Sequence, residues 1–75
     1  VNAQAIREVL TDTELAPSTR LVWAYLNVAA EPQNSSSIGH DLGFCHSTVS
    51  HHIGALKDRG LVRRRNGVWL PEVPQ

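Results

Sequence analysis

The chain has no methionine, one cysteine, four aromatic residues and no net charge. Each scarcity excludes something. The lone Cys45 cannot close an internal disulfide, which points to a reducing compartment rather than a disulfide-stapled secreted fold. No apolar run approaches the roughly 18 residues of a membrane-spanning helix, and no signal-peptide pattern is visible. A cytoplasmic protein without membrane contact is expected. A start at Val1 without methionine is what a domain excised from a longer protein would show. At 75 residues the chain makes one small domain, near the lower limit for an unsupported core. That leaves little room for an enclosed catalytic cleft.

What is present is more informative. Hydrophobic residues make up 41% of the chain, enough for a compact helical core. The seven basic and seven acidic residues are unevenly spread. Through Phe44, Arg7 and Arg20 face Glu8, Asp12, Glu14, Glu31 and Asp41. From Cys45 on, Lys57, Arg59, Arg63, Arg64 and Arg65 face only Asp58 and Glu72, and His46, His51 and His52 lie there too. A domain polarised in this way can offer a basic face to phosphate while remaining neutral overall.

Apolar periodicity predicts a first helix from Ala3 to Leu10, then a short turn capped by Asp12 or Thr13 through Leu15. Pro17 suits the first position of a second helix running to about Ala30. Val22, Tyr25, Leu26 and Ala29 form its inner stripe, widened by Leu21 and Val28. Trp23 and Trp69 are core candidates. Pro32 stops the helix, and Gln33-Asn34-Ser35-Ser36 reads as a polar loop. Ser36 or Ser37 is the expected cap of a short helix from Ser37 to Leu42 that turns Ile38 and Leu42 inward. Gly43 stands where a left-handed residue is wanted, and Cys45 takes the N-cap position of the next helix. That helix, from His46 to about Arg59, buries Val49, Ile53 and Leu56 and turns Ser47 and His51 outward, flanked by Ser50 and Thr48. Asn66-Gly67 between two short apolar runs predicts a tight hairpin. Its alternation puts Arg63 and Arg65 on one face and Arg64 on the other. The chain thus divides into an N-terminal helix or extension (1–14), a folded unit (15–70) and a tail or linker (71–75).

Two short helices joined by a tight turn at Gly43, followed by a basic hairpin, are the pattern of a winged helix-turn-helix. The segment Leu42-Gly43-Phe44-Cys45-His46-Ser47-Thr48-Val49-Ser50-His51-His52-Ile53, with Leu56 and the exit Gly60-Leu61-Val62, resembles the core of ArsR- and MarR-like bacterial regulators. Their usual form is L-G-(L)-S-x-S-T-V-S-x-H-(L)-x-x-L-x-x-x-G-L-V. The resemblance extends more loosely from Leu15 to Leu70. It implies a mainly α fold with a three-helix core, an additional N-terminal helix and a two-stranded β wing. It further implies sequence-specific binding of double-stranded DNA, a role in transcription and room for a homodimer. Plasmid-transfer and chromosome-translocating ATPases carry a similar DNA-reading module, so a role in plasmid replication, transfer or translocation stands as an alternative. Two residues depart from the pattern. Cys45 replaces the usual Ser, and His51 stands where Arg or Lys is common.

On this reading Ser47, Thr48, Ser50 and His51 are the base-reading candidates, since hydroxyls and imidazole can donate to or accept from base edges. Ser37 and His46 at helix starts, and Arg63, Arg64, Arg65 and Asn66 in the hairpin, are candidates for holding the backbone. The cluster of His40, Asp41, Cys45, His46, His51 and His52 lacks metal-ligand spacing, with no His pair at i, i+4 on one helix and no C-x-x-C. His52 is expected at the core edge with a local hydrogen bond. A redox role for Cys45 lacks a resolving cysteine. No spacing of Ser, His and Asp suggests a nucleophile with an oriented base, and no cofactor or small-molecule ligand is indicated. The contrasting reading is a winged helix that docks a protein partner, favoured by the zero net charge and the absence of Lys or Arg from the first half of the recognition helix.

Overall fold

A computed structural model of the chain describes residues 3–74. They form α1 (Ala3–Leu10), α2 (Pro17–Val28), α3 (Ser35–Leu42), α4 (His46–Asp58), β1 (Val62–Arg65) and β2 (Val68–Pro71). The result is mainly helical, with one two-stranded antiparallel sheet. Helix α2 packs across α4, α3 packs against α4, and the hairpin lies on α2 and on the end of α4. No helix of the described residues is long and apolar enough to cross a membrane.

Helix α1 is tied firmly to the rest. The backbone N–H and the hydroxyl of Thr11 both donate to the Arg7 carbonyl. Asp12 accepts from the Glu14 N–H at 3.0 Å, making the expected turn into the buried Leu15. Arg20 then reaches back from α2, donating to the carbonyls of Leu15 (3.0 Å) and Leu10 (2.9 Å) and so satisfying a helix end. Val9 and Leu15 belong to the same apolar core as the later helices.

The buried face of α2 is Thr19, Val22, Trp23 and Leu26. This corrects the expected stripe: Leu21 and Val28 are 48% and 81% exposed. Trp23 turns the helix this way. Its ring is fully buried, and its indole N–H donates to the Leu61 carbonyl at 3.0 Å. A buried indole needs such an acceptor. The helix also stops at Val28, because Ala29 is already extended.

Helix α3 starts two residues earlier than expected. Its cap is Asn34, not Ser36 or Ser37: the Asn34 side-chain oxygen accepts the Ser37 N–H at 2.8 Å. Asparagine ranks with serine as a cap, so the third-position amide settles the choice. Gly43 takes the left-handed conformation (φ 76°) that ends α3 and bonds back to the Gly39 carbonyl. Gly39 itself sets how closely α3 and α4 approach. A Cβ there would lie 2.7 Å from the Phe44 carbonyl oxygen and 3.3 Å from a methyl of Val49.

In the hairpin Arg64 faces Trp69 and Arg65 faces Val68 across the ladder. Asn66 (φ 51°) and Gly67 (φ 81°) are both left-handed, as a type I′ turn requires. Gln33, expected in a loop, instead pairs with Trp69 and accepts its N–H at 2.8 Å. That pairing covers part of the outer edge of β2. The strand runs through Pro71, and Val73 packs on the core, so ordered contacts pass the expected end at Leu70.

Gly39→Ala is expected to destabilise the fold by about 1–3 kcal/mol, since the clash is with backbone that cannot rotate away. Urea unfolding of the variant measures it; an unchanged midpoint would mean that α3 and α4 can slide apart freely.

Candidate nucleic-acid interface

Helix α4 has two unlike sides. Val49, His52, Ile53 and Leu56 are buried, while Ser47, Ser50, His51 and Gly54 are exposed. The second set is spaced i, i+3, i+4, i+7, which makes one stripe directly opposite the core. Three of the four base-reading candidates therefore share an open surface. The fourth, Thr48, is half-buried at its edge, with its hydroxyl 3.0 Å from the Cys45 sulfur. His46, in the first turn, is exposed.

Cys45 occupies the N-cap position, but its side chain does not cap the helix. Its sulfur lies between the hydroxyls of Ser47 (3.3 Å) and Thr48 (3.0 Å). Bonds from Ser47, then Thr48, bring its pKa down to about 7. The thiol is exposed, so near neutral pH a large share of it is thiolate.

The backbone-holding candidates fare differently. Ser37 has both donors committed within α3: its N–H to the Asn34 side chain and its hydroxyl to the Asn34 carbonyl (3.0 Å). It can still accept a hydrogen bond but has no donor left for a phosphate. Arg63, Arg64 and Arg65 are all exposed, but their surroundings differ. Arg63 pairs with Glu72 at 2.9 Å, a contact the sequence pattern did not suggest. Arg64 lies over the Trp69 ring, 5.9 Å from its centre. Arg65, beside the turn, has no ionic or aromatic partner among the described residues. Asn66 is exposed, with its backbone held left-handed in the turn. Arg59 pairs with Asp12 and so joins the end of α4 to the turn after α1. That pair, after the Glu14 N–H, holds the Asp12 carboxyl below its ordinary range.

His52 is buried, and its Nδ1 lies 2.8 Å from the Thr19 hydroxyl. The expected local partner is thus corrected to one in α2, 33 positions back. Phe44 packs against its ring at 5.7 Å and His51 edge-on at 5.4 Å. Burial, and secondarily His51, lowers its pKa. On α3, Asp41 accepts from the Tyr25 hydroxyl and lies 3.4 Å from the His40 ring. The Tyr25 bond, then His40, holds the Asp41 carboxyl low. Among the described residues no group of three or more His, Cys, Asp or Glu is placed to hold a metal ion.

Sequence reading passed over Gly54. Its backbone is not left-handed, and a Cβ there would meet nothing within 4 Å. Glycine inside a helix costs roughly 0.5–1 kcal/mol relative to alanine. The available signal was its position, i+3 from His51 on the outward stripe. Comparison with protein-family models, curated proteins and solved structures finds no match for this chain.

Alkylation of Cys45 by iodoacetamide should rise through a midpoint near pH 7. Replacing both Ser47 and Thr48 by alanine should move that midpoint up toward the ordinary thiol range of about 8.5. A midpoint already at the ordinary value in the unaltered chain would show that the two hydroxyls do not support the thiolate.

His52 gives the fold a pH dependence of definite sign. Its folded pKa lies below that of the unfolded chain, so the folded form resists taking up the proton. Stability is full above about pH 6.5 and declines as pH falls through the depressed folded value, where the loss levels off. Urea midpoints at pH 7.5 and 5 should differ for the native chain and converge for His52→Gln. Equal slopes in both proteins would assign the effect to another group.

Proposed function

We propose that this domain binds double-stranded DNA with sequence preference, as a winged helix-turn-helix of the kind found in bacterial transcription regulators. In this reading the first half of α4 enters the major groove and the β1–β2 hairpin lies against the sugar–phosphate backbone. One observation carries the reading. The polar stripe of α4 is exposed along its length, and the strand that packs on the same helix leads to the unpaired Arg65. A helix with short polar side chains on its free face can approach base edges closely. Guanidinium groups beside it supply the attraction to phosphate that the stripe itself lacks. A cytoplasmic, nucleoid-associated protein follows from that function, and no catalytic step is required of any residue. A DNA-reading module in plasmid replication or transfer would use the same surface.

The reading ranks the arginines. Arg65 is free, while Arg63 must first leave Glu72. Arg65→Ala should therefore weaken duplex binding more than Arg63→Ala, by a similar factor for all sequences, and reduce the salt slope by about 0.9. Fluorescence anisotropy with labelled duplexes across a salt series measures both quantities. Binding no tighter than nonspecific at about 100 mM salt would sink the proposal. A second reading, docking of a protein partner, draws on the exposed Leu21 and Val28, seven residues apart on α2. A partner held there would be lost with Val28→Asp and indifferent to Arg65→Ala.

A further inference from the structure

We propose that Asn66-Gly67, the turn of the β1–β2 hairpin, is a deamidation site: Asn66 loses its side-chain amide to water, and the carboxylate formed beside Arg65 weakens the hairpin's hold on phosphate. The chemistry stands on the turn alone. Its consequence rests on the DNA-binding reading above.

Three asparagines lie among the described residues, and their side chains are used differently. Asn27 sits inside α2, where its amide donates to the Trp23 carbonyl at 2.9 Å. Asn34 caps α3, its side-chain oxygen accepting the Ser37 N–H at 2.8 Å. The side chain of Asn66 has no hydrogen bond among the described residues. The residues that follow them differ too. Asn27 precedes the branched Val28 and Asn34 precedes Ser35, whereas Asn66 precedes glycine. No side chain shields the Gly67 nitrogen. Asn66 and Gly67 are both exposed, so water reaches them freely.

The reaction needs only that water. The Gly67 nitrogen attacks the side-chain carbonyl carbon (Cγ) of Asn66. A bond forms from that nitrogen to Cγ, the Cγ–Nδ2 bond breaks, and the departing nitrogen takes the Gly67 proton and leaves as ammonia. A five-membered imide remains. Water then adds to one of its two carbonyls. Opening at Cγ gives aspartate; opening at the backbone carbonyl gives isoaspartate, with the chain running through the side-chain carbon. Nothing is oxidised or reduced, and either product releases its acid proton to solvent at neutral pH.

The turn sets the rate. Attack needs the Asn66 Cβ and the Gly67 nitrogen on the same side of the Cα–C bond. A type I′ turn has ψ of about 30° at its first central residue, which puts the two nearly opposite. The closed turn therefore protects the amide, and the ring closes when the tip opens. Opening the tip costs the terminal pair Arg65↔Val68 and leaves the buried Val62 at the base of the hairpin in place.

The product acts where the hairpin is most exposed. Asp-Gly also accepts a type I′ turn, so the aspartate form keeps the fold of the hairpin. Its charge is new, and it gives a neutral chain one net negative charge. Arg63 already has Glu72, and Arg64 rests on Trp69. The new carboxylate adjoins Arg65, which has no ionic or aromatic partner among the described residues. The isoaspartate form lengthens the turn by one backbone atom and disturbs the Arg65↔Val68 pair as well.

The experiment has two arms. In the first, the chain is incubated at 37 °C and pH 7.5, folded and in urea, and peptide mass spectrometry follows the exchange of NH2 for OH at each asparagine. The folded chain should convert at Asn66, to aspartate and isoaspartate, while Asn27 and Asn34 keep their amides. Conversion should be faster in urea. Equal rates would overturn the control by the turn, and folded-state conversion at Asn66 no greater than at Asn27 or Asn34 would overturn the site. In the second arm, fluorescence anisotropy with labelled duplexes compares the native chain with Asn66→Asp, each with and without Arg65→Ala. Asn66→Asp should weaken binding about threefold, the scale of an exposed ion pair, and alike for all sequences. With Arg65→Ala already present, the loss should largely vanish. No loss in the native background, or an equal loss in both, would overturn the coupling to Arg65 while leaving the site and DNA binding in place. A native chain that binds no duplex would overturn the DNA-binding reading and the consequence together, with the mass change still standing as evidence for the site.

Discussion

The structure depends most on the buried hydrogen bond from the Trp23 indole to the Leu61 carbonyl. Trp23 is the largest fully buried side chain, and Leu61 is the residue where α4 has ended and the hairpin has yet to begin. One contact thus fixes the rotation of α2, the exit of α4 and the point from which the hairpin departs. The rotation of α2 places Thr19 under His52, and His52 turned inward leaves His51 turned outward. The exposed stripe of α4 is in this sense set from the far side of the helix by an indole that needed an acceptor.

The electrostatics follow the same logic. Sequence alone suggests a basic C-terminal half. In the fold, two of its arginines are met by carboxylates, Arg59 by Asp12 and Arg63 by Glu72, and Arg64 rests on an aromatic ring. Exposed pairs of this kind add little to stability. Their larger effect here is on the outward field, which they concentrate toward the hairpin tip at Arg65. The stripe of α4 beside it carries hydroxyls and an imidazole.

Much of this was legible from sequence, for identifiable reasons. Val49, Ile53 and Leu56 repeat at helical spacing, Gly43 stands at a left-handed cap, and Asn66-Gly67 admits essentially one turn type. These are local rules, and they placed α4 and the hairpin correctly. What stayed hidden was decided between distant segments. On α2 the expected Val22, Leu26 and Trp23 are buried and Tyr25 packs on the core, but the stripe does not widen to Leu21 and Val28, because the bond to the Leu61 carbonyl turns the helix toward Trp23 and Thr19. Asn34 outcompeted two neighbouring serines for the cap of α3, a choice among near-equals. Gln33 looked like loop because its pairing partner, Trp69, lies on the other side of the domain in sequence. Of the candidate site, the exposed hydroxyls and His51 were legible from their angle on α4. The committed donors of Ser37 and the pairing of Arg63 were not.

The ties that hold the domain share one property. Thr19 to His52, Trp23 to Leu61 and Asp12 to Arg59 span 33, 38 and 47 residues. Local turns contribute caps but no closure of the core, so no half of the chain contains both ends of these bonds. Opening of the native state should then occur as one cooperative unit rather than as fraying of separate helices. The slowest-exchanging amides would lie together on the inner turns of α2 and α4, and the hairpin would be released with them rather than before them. A hairpin that looks detachable is, energetically, part of a single cooperative body.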